Sequence, residues 1–204
     1  MAPVLKYGVS VPLALTRSVA GQFIALCYAI FLTYWIVAAF WTKRTAEKPA
    51  WSHSWLIRGA AAALLAFLSR RTAPGSANQV LWDYTPTIGA VAMALTALGL
   101  AVLVWARATL AGNWSADVVF KEDHELIERG PYRYVRHPIY SGVILMALGC
   151  VLWWGTTIAV AVAVLLPVVL WLKLSQEERL LTRHFPEAYP RYKSRVKALV
   201  PFVI

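Results

Sequence analysis

The chain has 204 residues, of which 59% are hydrophobic and only 15% charged, and its formal net charge is +10. Soluble domains of this size carry about a quarter charged residues, so the apolar excess argues against a soluble globule and for a protein immersed in a bilayer. The positive charge does not indicate a nucleic-acid binder, because no polar segment carries a basic stripe interleaved with aromatics. It fits a membrane protein whose basic residues gather on the cytoplasmic side, beside anionic lipid.

Residues 1–20 are mildly apolar and interrupted by Pro3, Gly8 and Pro12, a pattern that suits an interfacial segment. They lack the basic start, compact apolar core and small-residue cleavage site of a signal peptide. The first spanning helix is expected over 22–41, closed by Thr42-Lys43-Arg44. A second is expected over 51–69, with Arg58 snorkelling to the interface and the alanines at 60–63 admitting a close neighbour. Arg70-Arg71 and Pro74-Gly75-Ser76 end it. A third covers 85–106.

The run 139–172 contains no charge. As one straight helix it would be about 50 Å long, too long for a hydrocarbon core of about 30 Å. Trp153-Trp154-Gly155 in its middle supplies interfacial aromatics and a turn residue, so the run reads as a tight helical hairpin with two rather short arms. The expected fold class is therefore all-α: a polytopic integral membrane protein of five spans. It comprises N-terminal helices and loops over 1–84 and a C-terminal core over 85–204, within a single membrane domain. With that span count, sixteen Lys and Arg fall on one side and four on the other. The C-terminus and the two polar segments, 107–138 and 173–204, are thereby assigned to the cytoplasmic face.

Those two segments hold the chemistry. The first contains Arg107, Gly112-Asn113-Trp114, an acidic patch over 117–128, and the stretch from Gly130-Pro131-Tyr132 through Arg136-His137-Pro138-Ile139-Tyr140-Ser141-Gly142. The second contains Lys173, Glu177-Glu178-Arg179, His184-Phe185-Pro186, Tyr189 and Tyr192. Taken singly, Arg133 and Arg136 read as lipid-facing anchors, and the two glutamates as partners for Arg179 and Arg183 on a solvated face. Taken together, they set a cationic cluster where one hairpin arm begins and an anionic pair where the other ends. An apolar-walled cavity gated by such groups has the profile of a small-molecule site. Cys27 and Cys150 lie in apolar runs with no metal-ligand neighbour, and His53, His124 and His184 receive no role.

Arg-His-Pro-x-Tyr-x-Gly, followed two spans later by Glu-Glu-x-x-Leu and Tyr-x-x-Tyr-x-x-x-Val, resembles the isoprenylcysteine carboxyl methyltransferase family and the related membrane phospholipid N-methyltransferases. The resemblance covers residues 95–204 and implies S-adenosylmethionine as methyl donor, with S-adenosylhomocysteine as product. On this reading Glu177 or Glu178 suits the donor's cationic groups, and His137, Arg136 or helix-start N–H groups suit its carboxylate. Tyr134, Tyr140, Pro138 and the Leu126-Ile127 pair are expected to sandwich the adenine, and Gly142 to admit the cofactor close to the helix. A carboxylate acceptor is already an anion and needs orientation instead of a base, for which Arg107 and Lys173 are the candidates. Asn113 is a weaker one, and Glu178 would serve as base for an amine or thiol acceptor. The acceptor is expected to be a lipophilic small molecule or a lipidated group arriving through membrane lipid, favouring a prenylcysteine-type carboxylate.

Membrane sterol and steroid reductases, which bind NADPH, are also similar in the C-terminal half. They typically carry Asn after the Pro and an acidic residue after the Gly, where this chain has Ile139 and Val143. A non-enzymatic lipid-binding protein or transporter is the remaining alternative. No ionisable residue lies in the middle of the spans over 22–41, 85–106 and 139–172, and no paired half-helices or internal repeats are visible; a transporter usually shows one or the other.

Overall fold

A computed structural model describes residues 13–41, 45–47, 79–111, 114, 120–121 and 125–201. The elements in chain order are α1 (Leu13–Ala39), β1 (Thr45–Glu47), α2 (Pro86–Leu110), β2 (Phe120–Lys121), a 3-10 turn (Gly130–Arg133), α3 (Pro138–Trp154), α4 (Thr157–His184) and α5 (Ala188–Arg195). Helices α1, α2 and α4 are long and apolar enough to cross a membrane, and α3 is a shorter apolar helix. The fold is helical, with one small addition that the sequence did not announce: β1 and β2 pair antiparallel.

The helix starts are written locally. Thr85 caps α2 by accepting from the Ile88 N–H, and Pro86 follows in the first turn, where its missing N–H costs nothing. Pro138 opens α3 in the same way, and Gly155 closes it in the left-handed conformation at φ 64°. The hairpin turn therefore falls where Trp153-Trp154-Gly155 placed it. α1 begins at Leu13, nine residues before the expected start at 22, so residues 13–20, expected in an interfacial segment, belong to the helix. Two helices outlast their apolar runs at the C-terminal end. α2 continues past 106 to Leu110. α4 continues past 172 to His184, because Lys, Leu, Gln, Glu and Arg are all good helix formers.

Helix α2 packs most closely on α3. A Cβ on Gly99 would lie 2.7 Å from the Gly142 carbonyl, and one on Gly149 would meet Thr96 Oγ1 at 2.1 Å and the Ala92 carbonyl at 2.6 Å. Ala92, Thr96, Gly99 and Leu103 recur every three or four residues along one stripe of α2, where small side chains let two backbones approach. Above this seam Leu103, Met146 and Cys27 form a buried cluster flanked by Phe31 and Trp35 of α1.

The hairpin turn is tied down by what precedes α2. Leu81 N–H donates to the Gly155 carbonyl at 2.7 Å and Trp82 Nε1 to the Leu152 carbonyl at 3.0 Å. Trp153 Nε1 donates to the Arg17 carbonyl near the start of α1 at 3.1 Å. At the other end of the bundle, Arg107 of α2 reaches the Ala38 carbonyl at the end of α1. Helices α1 and α2 thus run parallel, so Trp41 and Gln79 lie at opposite ends of the bundle. Residues 48–78, which join those ends, fall outside the described residues, as does the expected second span over 51–69.

Candidate active site at the open end of the hairpin

Twenty residues separate Thr157 from Glu177, about 30 Å of helix, which is about the thickness of the hydrocarbon core. Glu177 and Glu178 therefore stand about one hydrocarbon-core thickness along α4 from the hairpin turn, facing the residues that lead into α3. Glu178 is 7% exposed and His137 8%, so this is a buried ionic cluster and not a solvated face.

Each group has a specific partner. Arg136 puts Nε and Nη2 on Glu178 Oε1, at 2.9 and 2.6 Å. Lys193 of α5 puts Nζ on Glu178 Oε2 at 2.6 Å. His137 lies between the two carboxylates, with Nδ1 at 3.5 Å from Glu177 Oε2 and Nε2 at 3.4 Å from Glu178 Oε1. Tyr140 donates to Glu177 Oε1 at 2.5 Å and stacks on the His137 ring, centroids 5.5 Å apart. Burial pushes the His137 imidazole down, but Glu177 and Glu178 more than offset it and hold the group above its ordinary range. With a carboxylate oxygen facing each ring nitrogen, the doubly protonated ring satisfies both.

A strap completes the cluster. After α5 the chain runs beside 135–137, with Val135 and Lys197 forming a parallel bridge. Arg136 N–H donates to the Lys197 carbonyl at 2.8 Å and His137 N–H to the Ala198 carbonyl at 2.9 Å. Ser141 Oγ donates to the Leu199 carbonyl at 2.6 Å, and Arg136 Nη1 donates to the Val196 carbonyl. These bonds give the N–H groups of Arg136 and His137, which lie before the first turn of α3, their partners and hold both residues in one orientation. Tyr192 donates to the Tyr132 carbonyl at 2.5 Å. Tyr189 is 1% exposed. Its hydroxyl feels both Glu178 and Arg136, and burial raises its pKa first and Glu178 further. Yet that hydroxyl makes no hydrogen bond of normal geometry with a described residue.

The expected site residues divide into those gathered here and those placed elsewhere. Arg136, His137, Pro138, Tyr140, Glu177 and Glu178 come together, and the Lys173 ammonium lies 5.6 Å from the Tyr140 ring centre. Arg136 and His137, expected to receive a carboxylate from a ligand, are instead turned onto the protein's own glutamates. The two glutamates pair with Arg136, His137, Tyr140 and Lys193, so the reading that takes the residues together describes them better than the solvated-face one. Gly142 faces α2 and not a cavity: a Cβ there would meet the Gly99 carbonyl and Leu103 Cγ, each at 2.7 Å. Tyr134 is 55% exposed, beside Trp105, and stands apart from the cluster. Ile127 is packed with Ala106 and Tyr132, while Leu126 is half-buried.

Arg107 belongs to a second polar cluster. It is 3% exposed, donates to the Ala38 and Ala111 carbonyls at 2.6 Å each, and lies 4.6 Å from the Trp114 ring centre. Its Nε is buried and has no hydrogen-bond partner among the described residues. Burial raises the pKa of the Tyr132 phenol, Glu177 raises it further and Arg107 lowers it. Asn113, His53 and His124 fall outside the described residues. His184 sets Nδ1 3.1 Å from the Leu180 carbonyl, at the end of α4.

Lys193 is the site residue that motif reading missed. Its signal was available: it follows Tyr189 by four positions, and residues spaced i, i+4 share a helix face.

The family model for phospholipid methyltransferases matches residues 87–188, half of the chain and all of the hairpin. The chain belongs to this family. The resemblance to membrane methyltransferases of the isoprenylcysteine and phospholipid type is borne out. A protein-S-isoprenylcysteine O-methyltransferase of Schizosaccharomyces pombe is 35% identical over 86 residues, covering 40% of this chain and 35% of that protein. The B form from Arabidopsis thaliana is 34% identical over 87 residues, covering 41% of this chain and 43% of the relative. The match thus spans less than half the length of these relatives. Methanethiol S-methyltransferase 1 of Bradyrhizobium diazoefficiens is 24% identical over 176 residues, covering 79% of this chain and 58% of that protein. Among solved structures, a eukaryotic intramembrane Ras methyltransferase, isoprenylcysteine carboxyl methyltransferase, shares the fold with a TM-score of 0.55 at 22% identity. That alignment covers 96% of this chain and 69% of the other.

Proposed function

We propose that the protein is an S-adenosylmethionine-dependent integral membrane methyltransferase acting on a lipophilic acceptor, with a prenylcysteine-type carboxylate favoured. The observation that carries the reading is the buried Glu177–His137–Glu178–Arg136 cluster at the open end of the hairpin, inside the segment that the family model matches. The residues fit the donor chemically. Glu178 offers a carboxylate for an ammonium group, Glu177 would add negative charge beside a sulfonium, and the buried Tyr189 hydroxyl lies near Glu178 and Arg136 without a hydrogen bond of normal geometry to a described residue. Tyr140, 7% exposed and stacked on His137, and the fully buried Pro138 are the apolar groups next to that charge.

When bound, S-adenosylmethionine would supply an electrophilic methyl group on a sulfonium. The chain's part is positioning and the exclusion of water. A carboxylate acceptor needs no proton removed, so catalysis rests on holding two reactants in line in a dry site. Arg107 is proposed to orient the acceptor, since its Nε is a buried donor without a partner among the described residues, on the spanning helix that forms the hairpin's main contact. Lys173 is proposed to assist with its positive charge; the role of base toward an amine or thiol, expected of Glu178, is disfavoured by the cations on both of its oxygens. The acceptor would enter from the bilayer. The excess of Lys and Arg near the open end supports a cytoplasmic site and C-terminus.

Titration calorimetry of the purified protein in detergent with S-adenosylhomocysteine, then with NADPH, tests the class. Saturable binding of the first alone is expected, and binding of NADPH alone would refute the proposal. Arg107→Ala is expected to spare S-adenosylhomocysteine binding yet lower turnover at least about ten-fold, the scale of one lost oriented charge contact. Unchanged turnover would remove Arg107 from the acceptor site.

A further inference from the structure

Glu178 is held unequally at its two oxygens. Oε1 is gripped by Arg136, whose side chain is 9% exposed and is itself tied to the Val196 carbonyl and, at 3.4 Å, to the Lys193 carbonyl. That grip is rigid. Oε2 is held by the ammonium of Lys193 at 2.6 Å, and this side chain is 51% exposed. Lysine is a flexible, strongly hydrated point charge, so its withdrawal to water leaves little desolvation cost behind. One oxygen of a buried carboxylate thus faces a permanent cation and the other an exchangeable one.

We propose that Lys193 is an internal stand-in for the ammonium group of the amino-acid portion of S-adenosylmethionine: it occupies Glu178 Oε2 and is displaced when the cofactor binds. The inference rests on the cofactor reading above and deepens it. Charge balance supports exchange over addition. A second ammonium at Oε2 beside Lys193 would set like charges against each other near a buried carboxylate. Exchange keeps one ammonium on Oε2, while Arg136 and His137 stay on Oε1, and Lys193 already has its path to solvent. In the absence of cofactor the stand-in keeps Glu178 from being a buried, half-paired charge.

A structural ion pair and a stand-in make opposite predictions for binding. Removing a stand-in removes a competitor, so Lys193→Met is expected to bind S-adenosylhomocysteine about two- to five-fold more tightly, the range of a partly exposed ion pair. Binding of 5′-methylthioadenosine, which lacks the amino-acid portion, is expected to be unchanged in the same calorimetric experiment. Lys193→Arg, a stronger competitor in a bidentate geometry, is expected to bind S-adenosylhomocysteine no more tightly than the wild type. If Lys193→Met folds poorly, the wild-type protein carries the test: reductive methylation of Lys193, followed by peptide mass spectrometry, is expected to accelerate when S-adenosylhomocysteine saturates the site. Unchanged or weakened S-adenosylhomocysteine binding in Lys193→Met overturns the stand-in, and so does slowed or unaltered methylation in the wild type. Failure of the wild type to bind S-adenosylhomocysteine at all overturns the cofactor reading and the stand-in with it, so the two failures are distinct.

Discussion

The Arg136–Glu178 pair is open to a direct energetic test. In the Glu178→Ala variant, the Arg136 guanidinium stays in a site where its side chain is 9% exposed and loses contacts of 2.9 and 2.6 Å. Breaking a buried pair by removing one partner costs about 3–5 kcal/mol. The carbonyls of Val196 and Lys193 still accept from Arg136, so the lower end, about 3 kcal/mol, is expected. Release of the half-exposed Lys193 adds at most about 1 kcal/mol. For a chain of this size each kcal/mol moves Tm by about 2–4 °C, so Tm should fall on the order of 10 °C. Thermal unfolding in detergent, followed by the fluorescence of the 10 tryptophans, reads this out. Adding Arg136→Ala removes the stranded charge, so the double variant should recover at least about 1.5 kcal/mol relative to the sum of the singles. Additive losses, or a Glu178→Ala variant within about 1 kcal/mol of wild type, would refute the idea that this pair is a buried structural unit.

Three further outcomes follow from the same geometry. His137 has a raised folded pKa, so its contribution is fully present below its ordinary value of about 6.5 and is lost as pH rises through the higher folded value; melting of wild type against His137→Gln should converge as pH rises through that window, and parallel curves would show that His137 does not titrate there. Gly149→Ala forces its new carbon against Thr96 Oγ1 and the Ala92 carbonyl, and should cost about 1–3 kcal/mol by overpacking, seen as a lower Tm with no selective loss of ligand binding. Gly155→Ala meets both a positive φ and Trp82 within 3.1 Å, so about 1–3 kcal/mol of strain is expected, and a wild-type Tm would mean that the turn relaxes freely.

Much of the architecture was legible in residues acting locally. Apolar runs of spanning length marked α1, α2 and the hairpin, and Gly155 marked the turn, because bilayer thickness and backbone sterics act on consecutive residues. Pro138 marked the start of α3 for the same reason. The motif residues that form the cluster were also legible, since Arg136, His137, Glu177 and Glu178 are ionisable groups at the ends of apolar helices. Their partners were not. Arg136 and Glu178 are 42 positions apart, and only the return of α4 alongside the start of α3, with the strap from Val196 to Leu199 laid against it, brings them into contact. Gly142 is expected from sequence to admit the cofactor, and the packing of α2 instead sets it against the Gly99 carbonyl and Leu103. Lys193 read as one more basic residue in a basic tail until α5 aimed it at a buried carboxylate. Composition and spacing determine which segments enter the membrane and where charge is concentrated at its edge. Which cation meets which anion depends on distances across the bundle, and the tertiary structure alone sets those.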